Sequence, residues 1–285
     1  MTSGPELLLY NGDLLPATGF ALPLPNRGLF FNDGFFETMV WAETGLRYLP
    51  HHLHRMQRAA AALGLDLPEE LSTGAALSAT LGQLAQASQA PLVRLRLQLW
   101  RSGGGIYMPT TAGCEWLLTS QPFTPLDSDI ARADFAQTVQ TQFSPVSFCK
   151  GPNALTYVRA AQERQQCHLE ELLLLSAQGH IAEAVSSSVA WIAGGTVYTP
   201  APEAGGVAGV RLAHLQTKAQ ALGLSWRPGL YAPKDLLAAE AVFTANIAGI
   251  RALEQVGDVL FTSAAHPALR RLRQADADNE EAPLR

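Results

Sequence analysis

The sequence predicts an α/β protein, on three observations. Val93, Leu95, Leu97 and Leu99 alternate with Arg94, Arg96 and Gln98, the period-two pattern of a strand with one covered face. Met56, Ala60 and Leu63 follow helical spacing and stop at Gly64, a natural helix C-cap. Patterns of both kinds interleave along the chain, and the turn-rich segment Gln121-Pro122-Phe123-Thr124-Pro125 divides an earlier set from a later one.

In chain order, residues 7–10, Asn11-Gly12 and the apolar segment that follows form a hairpin. Residues 35–41 and 46–49 flank Thr44-Gly45 as a second hairpin. One helix starts at Leu53, and an alanine-rich helix fills residues 69–87. The alternating strand at 93–99 is followed by another at 115–119. Past the turn-rich segment come a strand at 137–143, a helix at 153–167, and strands at 171–176, 190–193 and 197–199. A helix over 210–222 is entered through Gly205-Gly206-Val207-Ala208-Gly209. These patterns divide into domains of residues 1–121 and 122–274, with 275–285 an acidic polar tail expected to be disordered.

A length of 285 residues allows one large domain or two of ordinary size. Hydrophobic content of 47% with 16% charged residues describes a folded chain, and a net charge of −5 makes no electrostatic case for nucleic acid. No apolar run reaches the length of a membrane span, so no membrane partner is expected. The start lacks the basic and apolar regions of a signal peptide, and the three scattered cysteines point to a reducing compartment. A cytoplasmic location is expected.

Lys150 stands in Phe148-Cys149-Lys150-Gly151-Pro152-Asn153, after an apolar stretch and before a helix pattern. An amine forms a Schiff base with an aldehyde cofactor only when part of it is deprotonated. Further on, Glu183 precedes Ser186, Ser187 and Ser188, and a carboxylate at a pyridine nitrogen keeps such a ring protonated. The loop ahead of Val210 would turn backbone N–H groups and a positive helix end toward a phosphate, although glycine-rich turns are common. Arg55 could clamp a phosphate with paired hydrogen bonds, but most helix arginines are solvated. His51, His52 and His54 lack an acidic or cysteine partner nearby in the sequence, so no metal site is expected. Arg94 and Arg96 share a polar strand face, which lines either a cavity or plain solvent.

Together these segments resemble the class IV aminotransferases, the fold-type IV enzymes of pyridoxal 5'-phosphate (PLP). That family includes branched-chain and D-amino-acid transaminases and 4-amino-4-deoxychorismate lyase. The resemblance runs from Tyr10-Asn11-Gly12 to about Val256. It passes through Arg27-Gly28-Leu29-Phe30-Phe31-Asn32-Asp33-Gly34-Phe35-Phe36-Glu37-Thr38, His54-Arg55-Met56 with Leu63-Gly64, and Lys150 with Asn153. It continues through Glu183 with its serines, Thr199-Pro200, Gly206 to Arg211, and Val242-Phe243-Thr244-Ala245-Asn246. Ser188 and Ala190 stand where the family usually has Asn and Phe, Ala241 replaces an acidic residue, and the segment after Ala248 lacks the usual proline.

The resemblance implies two α/β domains with PLP in the cleft between them, and a homodimer whose partner chain helps close the site. It makes Lys150 the Schiff-base lysine and Glu183 the partner of the pyridine nitrogen. Arg55 and the backbone N–H groups of Val210 and Arg211 would bind the phosphate, Asn246 would close that cup, and Ser186 and Ser187 would lie near the cofactor. A non-catalytic scaffold would have no physical need for both Lys150 and Glu183, which favours an enzyme acting on a small amino substrate. Phe36-Glu37-Thr38 resembles the lyase pattern more than the Phe-Glu-Gly run of branched-chain transaminases, as does Arg101-Ser102-Gly103-Gly104-Gly105-Ile106-Tyr107. The expected reaction is release of pyruvate and 4-aminobenzoate from aminodeoxychorismate, with branched-chain or D-amino-acid transamination as the alternative. Thr38 would orient the substrate and Arg94 or Arg96 would hold its carboxylate, unless Thr38 is there only for packing.

Overall fold

The computed structural model describes residues 6–88, 90–126 and 128–280. They divide into two compact units, one of residues up to Thr124 with Cys149–Pro152, the other of Pro125–Phe148 and the residues from Asn153 on. The segment bearing Lys150, expected in the second domain, therefore belongs with the first. The reason is local: the Phe36 N–H donates to the Lys150 carbonyl at 2.8 Å, and Asn32 Nδ2 donates to the Gly151 carbonyl at 2.8 Å.

The first unit contains β1 (Leu7–Tyr10), β2 (Asp13–Pro16), α1 (Arg27–Phe31), β3 (Gly34–Ala42), β4 (Gly45–Leu46), α2 (Leu49–Leu63), α3 (Glu69–Ser72), α4 (Gly74–Ala87), β5 (Val93–Arg101) and β6 (Cys114–Pro122). Its antiparallel sheet has the order β2-β1-β6-β5-β3-β4. Alternation in β5 buries Val93, Leu95, Leu97 and Leu99 with Phe35 and Met39 of β3. Helices α2 and α4 cover that face with Met56, Leu77, Leu81 and Leu84, each burial worth about 1.5–3 kcal/mol. Both hairpins form, but the second is short because Leu49 already opens α2. Gly64 caps α2 in the left-handed region, as its position implied. The expected single helix over 69–87 is two. Thr73 takes an extended conformation and its hydroxyl accepts from the Ala76 N–H at 3.2 Å, so a new N-terminus starts there.

The second unit contains β7 (Ala133–Thr141), α5 (Ala154–Gln166), β8 (Glu171–Ser176), β9 (Ile181–Ala184), β10 (Ser188–Ala193), β11 (Thr196–Pro200), α6 (Val210–Ala221), β12 (Ser225–Gly229), α7 (Pro233–Leu237), β13 (Ala241–Asn246), β14 (Gly249–Leu253), β15 (Gln255–Val256), β16 (Val259–Leu260) and α8 (Pro267–Glu280). One sheet runs β12-β11-β10-β13-β14 and the other β16-β15-β7-β8-β9. Ala190 and Ile192 of β10 pack with Leu215 of α6 and Leu269 and Leu272 of α8. Val189 and Trp191, on the opposite face of β10, meet Leu173 and Ile181 of the second sheet. Helix α5 covers that sheet's far side through Ala160, against Leu172 and Leu174. The layers are thus helix, sheet, sheet, helix. Ala241 is fully buried in the α6–α8 layer, where an unpaired acidic side chain would be costly.

Strand β7 begins earlier than expected because its pairing with β8 shifts register between Phe135 and Gln140. Glu163 of α5 accepts from the Gln137 N–H at 2.6 Å and the Thr138 N–H at 3.1 Å, satisfying donors the shift removes from the ladder. The expectation of a disordered tail from Ala275 fails for residues 275–280, which complete α8. Asp276 is buried and pairs with Nε of Arg211 at 3.0 Å and with Nη2 of the same guanidinium. No helix among the described residues is long and apolar enough to cross a membrane. Asp276→Ala would remove the carboxylate from the buried Arg211 guanidinium, so a loss of about 3–5 kcal/mol in urea unfolding is expected. An unchanged midpoint would show that α8 is not held through this pair.

Candidate active site

In the first unit the chemistry gathers around β3. Lys150 is half-buried in an irregular loop whose backbone extends the start of β3 through the Phe36–Lys150 bond. Cys149, beside it, is buried, and burial pushes its thiol up to about 11, which leaves it neutral and poorly nucleophilic. From β3 onward the faces separate by alternation. Glu37 points to the side covered by α2, whereas Phe36 and Thr38 lie on the other, with Thr38 directly opposite Arg96 and Val40 opposite Arg94. Arg96 stacks over the Phe36 ring at 3.9 Å, and its Nη2 donates to Gln98 at 3.4 Å. Thr38 is buried, Arg94 half-buried and Arg96 exposed.

On the covered side, Glu37 is buried between two residues one turn apart on α2. Arg55 donates from Nε to one carboxylate oxygen at 2.7 Å and from Nη2 to the other at 2.6 Å, and His52 Nδ1 lies 2.7 Å from the second oxygen. Burial alone would raise the Glu37 carboxyl, but Arg55 and the His52 hydrogen bond outweigh it and hold it at about 2. An ionised carboxylate only accepts, so His52 Nδ1 carries the proton. Burial lowers the imidazole's own pKa against the pull of Glu37, which keeps it neutral. The histidine group was expected to lack an acidic partner. Glu37, distant in sequence, is that partner for His52, and no metal-binding cluster exists among the described residues.

In the second unit Glu183, on β9, is buried, and its Oε1 accepts from Tyr157 at 2.7 Å and from the Val207 N–H at 3.2 Å. Burial and the Glu183 charge push the Tyr157 phenol well above its ordinary range, so it remains a donor. A Cβ on Gly206 would lie 3.3 Å from Glu183 Oε1, so this glycine lets the loop close on the carboxylate. Helix α6 then opens on Gly209, which has no side chain to cap the first turn; a Cβ there would lie 2.0 Å from Ser188 Oγ. Val210 and Arg211 occupy that first turn. The Arg211 side chain turns to Asp276 and donates from Nη1 to the Asn246 carbonyl at 3.2 Å. Asn246 Nδ2 donates to Ser187 Oγ at 2.9 Å and to the Ser186 carbonyl at 3.2 Å.

The structure thus brings Thr38, Arg94 and Arg96 onto one sheet face, Arg55 to Glu37, and Ser186, Ser187, Asn246 and Arg211 into one network. Sequence reasoning missed Tyr157, Asp276 and the link from His52 to Glu37. A buried carboxylate needs donors, but nothing near Glu183 in the sequence points to Tyr157.

The family model described as Amino-transferase class IV matches residues 34–256, most of the chain. The chain belongs to the class IV aminotransferase family. Members of this family are PLP-dependent enzymes, and this class IV protein is one. Among its relatives is a D-alanine aminotransferase of Bacillus licheniformis, 23% identical over 274 residues that cover 94% of this chain and 95% of the relative. A branched-chain aminotransferase of Thermoproteus uzoniensis shares the fold at a TM-score of 0.85 and 19% identity, over 96% of this chain and 94% of that one. A Legionella pneumophila protein with a provisional assignment as 4-amino-4-deoxychorismate lyase superposes at a TM-score of 0.82 and 18% identity, over 93% and 97% of the two chains.

The residues present fit PLP. The chain offers an amine on a loop whose backbone is pinned, a buried carboxylate held by a neutral phenol and a backbone N–H, and a helix N-terminus that opens on glycine. The Glu37 cluster yields a pH prediction. Its folded carboxyl titrates at about 2 against an ordinary 4.5, so its stabilisation is complete above pH 4.5 and disappears as pH falls toward 2. The stability gap between wild type and Glu37→Gln should therefore be constant from pH 5 to 7 and shrink by roughly 3 kcal/mol below that window. A gap that grows on acidification would contradict the assigned charge state.

Proposed function

We propose that this class IV enzyme is a 4-amino-4-deoxychorismate lyase, releasing 4-aminobenzoate and pyruvate. The observation that supports this most is the polar face of the first sheet, where the buried Thr38 lies opposite Arg96 with Arg94 alongside. Aminodeoxychorismate carries two carboxylates, on its ring and on its enolpyruvyl group. Two guanidiniums on one face suit such a dianion better than the single carboxylate of an aliphatic amino acid.

When bound, PLP supplies an electron-withdrawing ring that stabilises negative charge on the substrate carbon bearing the amine. Lys150 would provide the amine that anchors the cofactor and, once the substrate amine has taken its place, the freed amine would take the proton from that carbon. Glu183, fixed by Tyr157 and the Val207 N–H, holds the proton at the ring nitrogen. Arg55, the backbone N–H groups of Val210 and Arg211, and Asn246 with Ser186 and Ser187 are the residues that would hold the cofactor phosphate. Arg94 and Arg96 hold the substrate carboxylates, and the Thr38 hydroxyl orients the enolpyruvyl group. Loss of the ring proton and cleavage of the ether C–O bond leave an aromatic amine and the enol of pyruvate.

The D-alanine aminotransferase likeness favours a second activity, transamination, because a dicarboxylate amino acceptor would also fit the arginine pair. The purified holoenzyme should release 4-aminobenzoate and pyruvate in equal amounts from aminodeoxychorismate, faster than it transaminates any amino acid. Lys150→Ala should abolish both products. Rapid turnover of D-alanine or a branched-chain amino acid, with aminodeoxychorismate untouched, would replace the lyase by the transaminase.

We also place the enzyme in the cytoplasm, in accord with its three free cysteines, and as a homodimer. Leu29, Phe30, Ile106, Tyr107 and Met108 are all exposed, and the loop bearing the last three is fixed by Arg27, whose Nη1 donates to the carbonyls of Gly104, Gly105 and Ile106. Apolar side chains held rigidly in water suit an interface. Sedimentation at micromolar concentration should show a dimer, whereas a fully active monomer would refute it.

A further inference from the structure

Arg55 does not lie loose on its helix. Glu37 takes the Nε–Nη2 edge of its guanidinium with two bonds, at 2.7 and 2.6 Å, and fixes the plane of the group. Two of the five guanidinium N–H groups are thereby committed to Glu37, which sets the direction in which the others point. His52, one turn earlier on α2, fixes Glu37 in turn through a 2.7 Å hydrogen bond. Its other nitrogen, Nε2, is buried with no hydrogen-bond partner, a cost the fold accepts.

Stability alone gives no reason for this arrangement. Replacing a buried ion pair by well-packed apolar residues is often neutral or stabilising. The cluster also sits beside the loop of the proposed anchoring lysine, because the N–H of Phe36, next to Glu37, donates to the Lys150 carbonyl at 2.8 Å.

We infer that Glu37, backed by His52, is a positioning residue that aims Arg55 at the cofactor phosphate. The inference rests on the proposal that Arg55 binds that phosphate. Glu37 itself touches neither substrate nor cofactor. Its effect is confined to ligands that carry the phosphate, and a merely structural role would not be so confined.

The test compares dissociation constants of PLP and of pyridoxal, which lacks the phosphate, for apoenzyme prepared from wild type, Glu37→Gln, Glu37→Asp and Arg55→Lys. Glu37→Gln keeps the shape but removes the charge, and Glu37→Asp keeps the charge but withdraws it by one methylene, so the test survives if one variant fails to fold. At least a tenfold loss of PLP affinity is expected in both Glu37 variants and in Arg55→Lys, with pyridoxal affinity within twofold of wild type. Equal losses for PLP and pyridoxal in the Glu37 variants would overturn the inference. A selective loss in Arg55→Lys with none in the Glu37 variants would overturn it while leaving Arg55 on the phosphate. If Arg55→Lys shows no selectivity, Arg55 is not the phosphate ligand, and the positioning role falls with it.

Discussion

A carboxylate taken out of water must be surrounded by donors, and two such groups organise this protein. An ion buried without partners costs several kcal/mol, a large part of the 5–15 kcal/mol that holds a typical domain together. Glu37 meets that demand with a guanidinium and an imidazole, which obliges α2 to place His52 and Arg55 one turn apart and facing β3. Glu183 meets it with a phenol and a backbone N–H, which obliges the loop before α6 to run close enough for a glycine at 206. The choice of donors separates the two. Glu37 has a full positive charge beside it and acts as a fixed counter-ion. Glu183 takes hydrogen bonds from two neutral donors, the Tyr157 phenol and the Val207 N–H, which orient its carboxylate.

Features set by neighbours in sequence were legible. The alternation of β5 shows its two faces because one face packs its leucines under α2 and α4, while the other carries Arg94, Arg96 and Gln98. Gly64 marks the end of α2 because a left-handed cap is a property of one residue. Family motifs identified the fold, and they single out Lys150 and Glu183 for the roles proposed above. Features set by distant partners were not legible. The alanine-rich stretch at 69–87 has helical character throughout, and only the Thr73 hydroxyl breaks it. Strand β7 hides its start because its register shift relies on Glu163 of α5. The end of α8 reads as a polar tail until Asp276 is seen against Arg211. His52 was judged by its neighbours in the chain, whereas its partner comes from another element.

The covered and open faces of the first sheet divide the work. Glu37 and Thr38 are adjacent in sequence, so strand alternation sends one toward α2 and the other away from it. On the proposed reading, anchoring and substrate selection can therefore change independently. A substitution at Thr38 alters the open face without disturbing the ion pair behind it.

Arg94 and Arg96 face the same way two positions apart on β5, where like charges about 7 Å apart repel by about 0.6 kcal/mol in water. That penalty is small while the face is wet. It grows severalfold as a bound ligand displaces water and lowers the local dielectric, unless the ligand brings negative charge. On the proposed reading, in which the pair receives the substrate, it discriminates by what it leaves unpaired. A neutral or singly charged substrate would confine two cations with too little charge to balance them, whereas a dicarboxylate relieves both. Stacking on Phe36 supplies a second restraint, because it holds the Arg96 plane in place before any ligand arrives and reduces the ordering a substrate must impose. Selectivity on this face therefore comes from repulsion relieved as much as from bonds formed.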